Sequence, residues 1–86
     1  MVIGRRAVAR KLTSYLHHRI TLDELVDWAE GAMMEGEFSQ ADLPVVRDVV
    51  SRLGLADVRA FGLLWEDCEG MLQRLGYSVQ LDVVAR

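Results

Sequence analysis

Apolar residues recur at helical spacing along most of this 86-residue chain, and helix start and stop signals separate the repeats. A chain of this length forms a single core, because it buries only about 60–65% of the surface that its unfolded form exposes. Apolar stripes at helical spacing are buried most readily against other helices. The sequence therefore predicts a mainly α fold: a four-helix single domain over residues 1–86, with a short C-terminal β-strand.

The first predicted helix covers residues 4–18 and has two distinct faces. Val8 and Leu12 share an apolar face at a spacing of four residues. A polar face runs down another side of the same helix and holds Arg6, Arg10, Thr13 and His17. An isolated helix of this length is marginal in water, so we expect it to pack on the rest of the chain.

The second predicted helix has the clearest start signal in the chain. Thr21 and Glu24 have the spacing of a capping box, in which each side chain accepts a hydrogen bond from the backbone N–H of the other residue. Apolar residues keep helical spacing from Leu22 onwards. We predict a helix from Leu22 to Glu35, ended by Gly36 in a left-handed conformation.

The third helix is predicted from its two ends. Asp42 stands where an N-cap is expected, and Pro44 falls in the first turn, where its missing N–H is tolerated. Gly54 marks the end of this helix.

Residues 57–76 support two interpretations. Their apolar positions step by three and four, which favours one long helix, kinked at Gly62. The alternative is a strand over residues 58–63, followed by a helix that starts near Trp65.

Residues 77–84 change to a period of two, which predicts a half-buried strand. A strand needs a neighbour for its backbone donors and acceptors. If residues 58–63 are helical, a second copy of the chain supplies that neighbour about a two-fold axis, which predicts a homodimer. If they form a strand, the two segments pair as a ribbon and the fold is α+β.

Charge is distributed unevenly along the chain. Residues 1–20 hold five basic residues and no acidic ones, whereas the remainder carries a net charge of −8. Three interpretations of the basic segment compete: an arm for nucleic acid or a membrane, a targeting peptide, or a helix that lies on its own acidic body. The net negative charge of the whole chain argues against nucleic-acid binding. We expect the basic first helix to be matched in charge by the acidic second helix. The predicted basic face consists of Arg5, Arg6, Arg10 and Lys11.

Catalytic and metal-binding signals are weak. His17 and His18 are adjacent, so they point about 100° apart on a helix and do not share an ion. Cys68 falls on a predicted apolar seam, and the chain lacks the common metal, phosphate and nucleophile motifs. We therefore expect no enzyme activity, no cofactor, no metal and no small-molecule substrate. The single cysteine and the lack of a long apolar run predict a cytoplasmic protein that does not enter a membrane.

These features predict a non-catalytic protein–protein interaction module of a bacterial-type cytoplasm, homodimeric and able to dock a basic partner protein. The expected interface comprises Trp28, Met34, Tyr77, Val79, Leu81 and Val83. The expected acidic docking face comprises Asp23, Asp27, Glu30, Glu35 and Glu37. Two alternatives stay open: an immunity or antitoxin-type inhibitor of a basic toxin, and a small regulator that contacts nucleic acid through the basic first helix.

Overall fold

A computed structural model of the chain describes residues 2–58, 62–80 and 83. It confirms the mainly α prediction, and two short strands accompany the helices. No described helix is both long and apolar enough to cross a membrane. The elements follow in the order β1 (Val2–Ile3), α1 (Arg5–Leu16), α2 (Leu22–Glu35), β2 (Glu37–Phe38), a 3₁₀ turn (Gln40–Asp42), α3 (Leu43–Leu53) and α4 (Trp65–Arg74).

The core forms where α2 packs against α3, which is the most extensive contact between two elements. The valines of α3 are poor helix formers, so burial rather than intrinsic propensity stabilises this helix. α1 and α4 contribute further buried side chains to the same core. The fully buried side chains of α2 and α3 at this contact are Leu25, Ala29, Val46, Val49, Val50 and Leu53.

The start of α2 confirms the predicted capping box. Glu24 N–H donates to Thr21 Oγ1 at 3.1 Å, and Thr21 N–H donates to Glu24 Oε1 at 3.0 Å. The end of α2 differs from the prediction, because Gly36 has extended backbone angles (φ −78°, ψ 154°) and not left-handed ones. Glycine is needed there for space: a Cβ would collide with Ile3 Cδ1 and lie 2.7 Å from the Ala32 carbonyl oxygen.

The two strands form a parallel pair at the N-terminal side of the fold. Val2 stands opposite Glu37 and Ile3 opposite Phe38. Ser39 N–H extends the pairing by donating to the Ile3 carbonyl at 2.9 Å. Each strand has only two residues, too few for an alternating pattern in the sequence. The pair places the buried Ile3 side chain against the end of α2.

The single long helix predicted over residues 57–76 is wrong, since α4 begins at Trp65, as the alternative interpretation required. Gly62 adopts a left-handed conformation (φ +55°), which breaks helical continuity. Arg52 Nη2 donates to the Gly62 carbonyl at 2.9 Å and fixes this turn to the end of α3. The Asp67 carboxylate accepts from Leu64 N–H at 2.9 Å and caps the start of α4.

Neither predicted strand is present in the described residues. Within 58–63, the described positions 58, 62 and 63 are turn or irregular backbone, and 59–61 lie outside the described part. Tyr77–Gln80 are irregular as well, and Tyr77 N–H closes the end of α4 by donating to the Leu72 carbonyl at 2.9 Å. The remainder of the predicted strand, apart from Val83, lies outside the described residues. Tyr77–Gln80 do not form an unpaired strand, so these residues give no reason to expect a homodimer.

We expect Gly36→Ala to destabilise the fold by about 1–3 kcal/mol, because the new methyl group overlaps Ile3 and the end of α2. Urea unfolding followed by circular dichroism measures the change. Gly70→Ala is the matched control: its Cβ meets nothing within 4 Å inside α4, so helix propensity predicts a gain of about 0.5–1 kcal/mol. Equal effects of the two substitutions would contradict the role assigned to Gly36.

Candidate functional site

The expected charge match between α1 and α2 is not made by ion pairs in the described residues. The three ion pairs that the structure shows join Arg5 to Asp42, Arg52 to Asp67 and Arg74 to Asp48. None of them connects the basic helix α1 to a carboxylate of α2. Both helices therefore present charged side chains to solvent.

The four residues predicted to form one basic face point in three directions. Arg5 Nε lies 3.3 Å from Asp42 Oδ1, and the Arg5 guanidinium also approaches Gly76, where a Cβ would lie 2.9 Å from Arg5 Nη1. Lys11 Nζ lies 5.8 Å from the centre of the Trp28 ring, within the range of a cation–π contact. Only Arg6 and Arg10 share a surface, since both line a groove beside α1.

This basic groove is an open depression of about 1020 Å³ between α1 and the C-terminal part of the described chain. The polar face of α1 makes one wall and contains Arg6, Arg10, Thr13 and His17. α4 and the segment after it make the other wall, with Trp65, Tyr77 and the backbone through Gln80. Arg19 also lines the groove, and none of the described lining residues is acidic.

A second, smaller site lies on α2. Its cavity of about 350 Å³ is bounded by Ile3, Trp28 and the small residues at the end of the helix, and we call it the α2 site. Asp27 and Glu35 flank it, so two carboxylates stand beside an aromatic ring and an apolar floor. No described residue lines both the α2 site and the basic groove.

The predicted acidic docking face is exposed, and part of it surrounds the α2 site. Asp27 and Glu35 line the cavity, whereas Asp23 is exposed nearer the start of α2. The Glu30 side chain lies on the other side, towards Gly54 at the end of α3. Glu37 is exposed in β2, opposite Val2. Asp27 and Glu35 are therefore the acidic residues that contribute to a shaped site.

The structure does not bring the predicted interface residues together. Trp28 lines the α2 site, and Met34 projects from α2 with 82% of its surface exposed. Tyr77 and Val79 line the basic groove instead. Val83 is also exposed, and Leu81 lies outside the described residues.

Sequence reasoning missed the basic groove as a site. The long helix predicted over residues 57–76 would place Trp65 on its apolar seam, but Trp65 is 40% exposed because α4 begins at this residue. His17 was placed on the polar face of the first helix, with no ligand assigned to that face. The spacing of polar residues on α1 was the signal available in the sequence. The other wall of the groove depends on where α4 begins.

Groups with possible nucleophilic or metal chemistry lie apart. Cys68 is buried in α4, and burial raises the pKa of its thiol to about 11, with a further increase from the Asp67 carboxylate and an opposing effect of Arg52. The described residues contain no group of three or more His, Cys, Asp or Glu side chains arranged to hold a metal ion. Ser14 and His17 line the basic groove, whereas His18 has a left-handed backbone (φ +60°) after α1.

Comparison with protein-family models, curated proteins and solved structures found no match to this chain.

We expect the Cys68 thiol to react with a disulfide reagent at least about 100-fold more slowly in the native protein than in urea near pH 8, because burial raises its pKa from 9.0 to about 11 and leaves less thiolate. The folded pKa is the higher one, so this group's stabilising contribution is complete below about pH 9 and is lost between about pH 9 and 11. Ser78→Cys provides an exposed thiol as a control. Native labelling of Cys68 at the control's rate would contradict its burial.

Proposed function

We propose that this protein is a non-catalytic interaction module whose α2 site docks a basic segment of a partner protein. The observation that supports the proposal is that Asp27 and Glu35 both line a cavity that also contains Trp28, Ile3 and Ala32. A segment that carries lysine or arginine next to an apolar side chain matches both features of the site.

The contact between Lys11 and Trp28 supports a cationic ligand. An ammonium group of the chain itself already lies 5.8 Å from the Trp28 ring centre. Attraction between a cation and the electron-rich face of indole stabilises such contacts by about 0.5–2 kcal/mol. A basic side chain of a partner would also be attracted by the carboxylates of Asp27 and Glu35. Neither carboxylate takes part in an ion pair within the described residues.

The cavity supports an apolar anchor in the same segment. Gly31 and Gly36 have no side chain and Ala32 has a small one, so the surface of α2 stays open beside the Trp28 ring. Met34 is exposed on the same helix but does not line this cavity. An inhibitor that neutralises a basic toxin is the alternative form of this function, and it would use the same carboxylates.

We expect a short fluorescein-labelled peptide of alternating lysine and leucine to bind, and the double variant Asp27→Asn/Glu35→Gln to weaken that binding about 10-fold. Two surface charge contacts of about 0.5–1 kcal/mol each give a change of this size. Fluorescence anisotropy at physiological salt measures the affinity.

The control is the double variant Asp57→Asn/Glu66→Gln, which makes the same change in net charge at exposed positions outside the α2 site. We expect it to change the affinity less than twofold. Equal weakening by both double variants would show attraction by net charge alone and would overturn the proposed site, as would the absence of peptide binding.

Self-association stays a prediction. The predicted interface residues on α2, Trp28 and Met34, support it better than the C-terminal segment does. A homodimer would cover the exposed side chain of Met34 and part of the Trp28 ring. Light scattering at micromolar concentration tests it: twice the chain mass, reduced to the monomer mass by Met34→Lys, would support a dimer through α2. A monomer mass for the unaltered protein would exclude that dimer.

A further inference from the structure

We propose that the basic groove binds a short stretch of single-stranded nucleic acid, with phosphates along α1 and bases against Trp65 and Tyr77. This inference goes beyond the proposed function, because the basic groove and the α2 site share no described lining residue. It depends on the chemistry of the two walls, on the charge within the groove, and on the exposure of its aromatic rings.

The first wall offers a row of groups that suit phosphates. Arg6, Arg10 and His17 occur at helical spacing on one face of the chain from α1 to its C-cap, and the row extends over about 16 Å at 1.5 Å per residue. Arg19, which also lines the groove, adds a third guanidinium. Guanidinium groups bind phosphate oxygens through paired N–H donors, which makes arginine well suited to this contact.

The charge in the groove is opposite to that of the whole chain. The protein has a net charge of −3, yet none of the described residues that line the groove is acidic. Arg6, Arg10 and Arg19 form no ion pair within the described part of the chain. By contrast, Arg5 and Arg74 each contact a carboxylate elsewhere on the surface. The positive potential is therefore concentrated where a ligand has space to enter.

The second wall distinguishes nucleic acid from other anions. Trp65 and Tyr77 are each 40% exposed and both line the groove, although a chain this small usually buries its large rings. Aromatic faces beside a basic track are typical of proteins that bind single strands, because unpaired bases stack on them. An acidic peptide would satisfy the arginines but leave these rings without a matching group.

A duplex fits this arrangement less well than a single strand does. In a duplex the bases are stacked on one another, so rings on a groove wall cannot stack on their faces. The net charge of −8 on residues 21–86 also repels a long polyanion, which limits the contact to a short segment.

Fluorescence anisotropy with a short labelled oligothymidylate tests the proposal. We expect binding at low salt, with log K falling against log salt at a slope of about −2, since each of three arginine–phosphate contacts contributes about 0.7. Arg10→Gln should lower the slope by about 0.7. Arg47→Gln, at an exposed position on α3 outside the groove, should leave it unchanged.

The aromatic contribution is tested by Trp65→Leu, which keeps an apolar side chain and removes the ring. We expect the affinity for the oligothymidylate to fall about 10-fold, whereas affinity for inorganic polyphosphate should stay the same. Leu64→Ala, at an exposed neighbouring position, is the control and should change neither affinity. Circular dichroism confirms that each variant is folded.

The proposal is overturned if the oligothymidylate fails to bind at low salt. It is also overturned if polyphosphate, polyglutamate or a duplex of equal length binds as tightly, or if Trp65→Leu has no effect. The variant Asp27→Asn/Glu35→Gln should bind the oligothymidylate at least as tightly as the unaltered protein does, so failure of the α2 site and failure of the groove are separable outcomes.

Discussion

Packing of α2 against α3 is the contact on which the other features depend. Each helix has one strongly apolar stripe, and the two stripes bury each other completely at residues such as Leu25, Ala29 and Val49. Because these stripes are narrow, the remaining faces of α2 stay outside the core, and Asp27 and Glu35 stand there beside the Trp28 ring. The core thereby fixes the position of the α2 site, and the core residues Ile3 and Ala32 contribute to its lining.

The position of α1 follows from the same core. Val8 and Leu12 are completely buried, so the polar face of α1 must point outwards, and α4 and the segment after it approach that face. The result is a molecule with a basic groove on one helix and a carboxylate-flanked cavity on another. The described ion pairs leave both regions unneutralised, since they involve other residues.

Local signals in the sequence predicted the elements that local interactions control. The capping box at Thr21 and the polar row on α1 depend on residues a few positions apart, and both are present in the structure. The turn at Gly62 depends on Arg52, ten residues earlier, and the seam of apolar residues gave no sign of it. The alternation over residues 77–84 is not a strand at Tyr77–Gln80, because no partner strand lies beside these residues in the described part of the chain.

The candidate sites were predictable only in part, for the same reason. Asp27, Trp28 and Glu35 lie on α2 within little more than two turns, so their placement follows from helical spacing. The basic groove joins α1 to residues about fifty or more positions later, and its second wall exists because α4 starts at Trp65. Long-range placement of that kind is decided by packing, which a pattern of residue types does not encode.

The Lys11 ammonium near the Trp28 ring has a consequence for selectivity. A ligand lysine that takes its place exchanges one ammonium for another, so the attraction to the ring gives almost no net gain. An arginine is different, because its flat guanidinium stacks on indole and is less strongly hydrated than an ammonium. In the proposed docking at the α2 site, Lys11 would therefore compete with a ligand lysine more than with a ligand arginine.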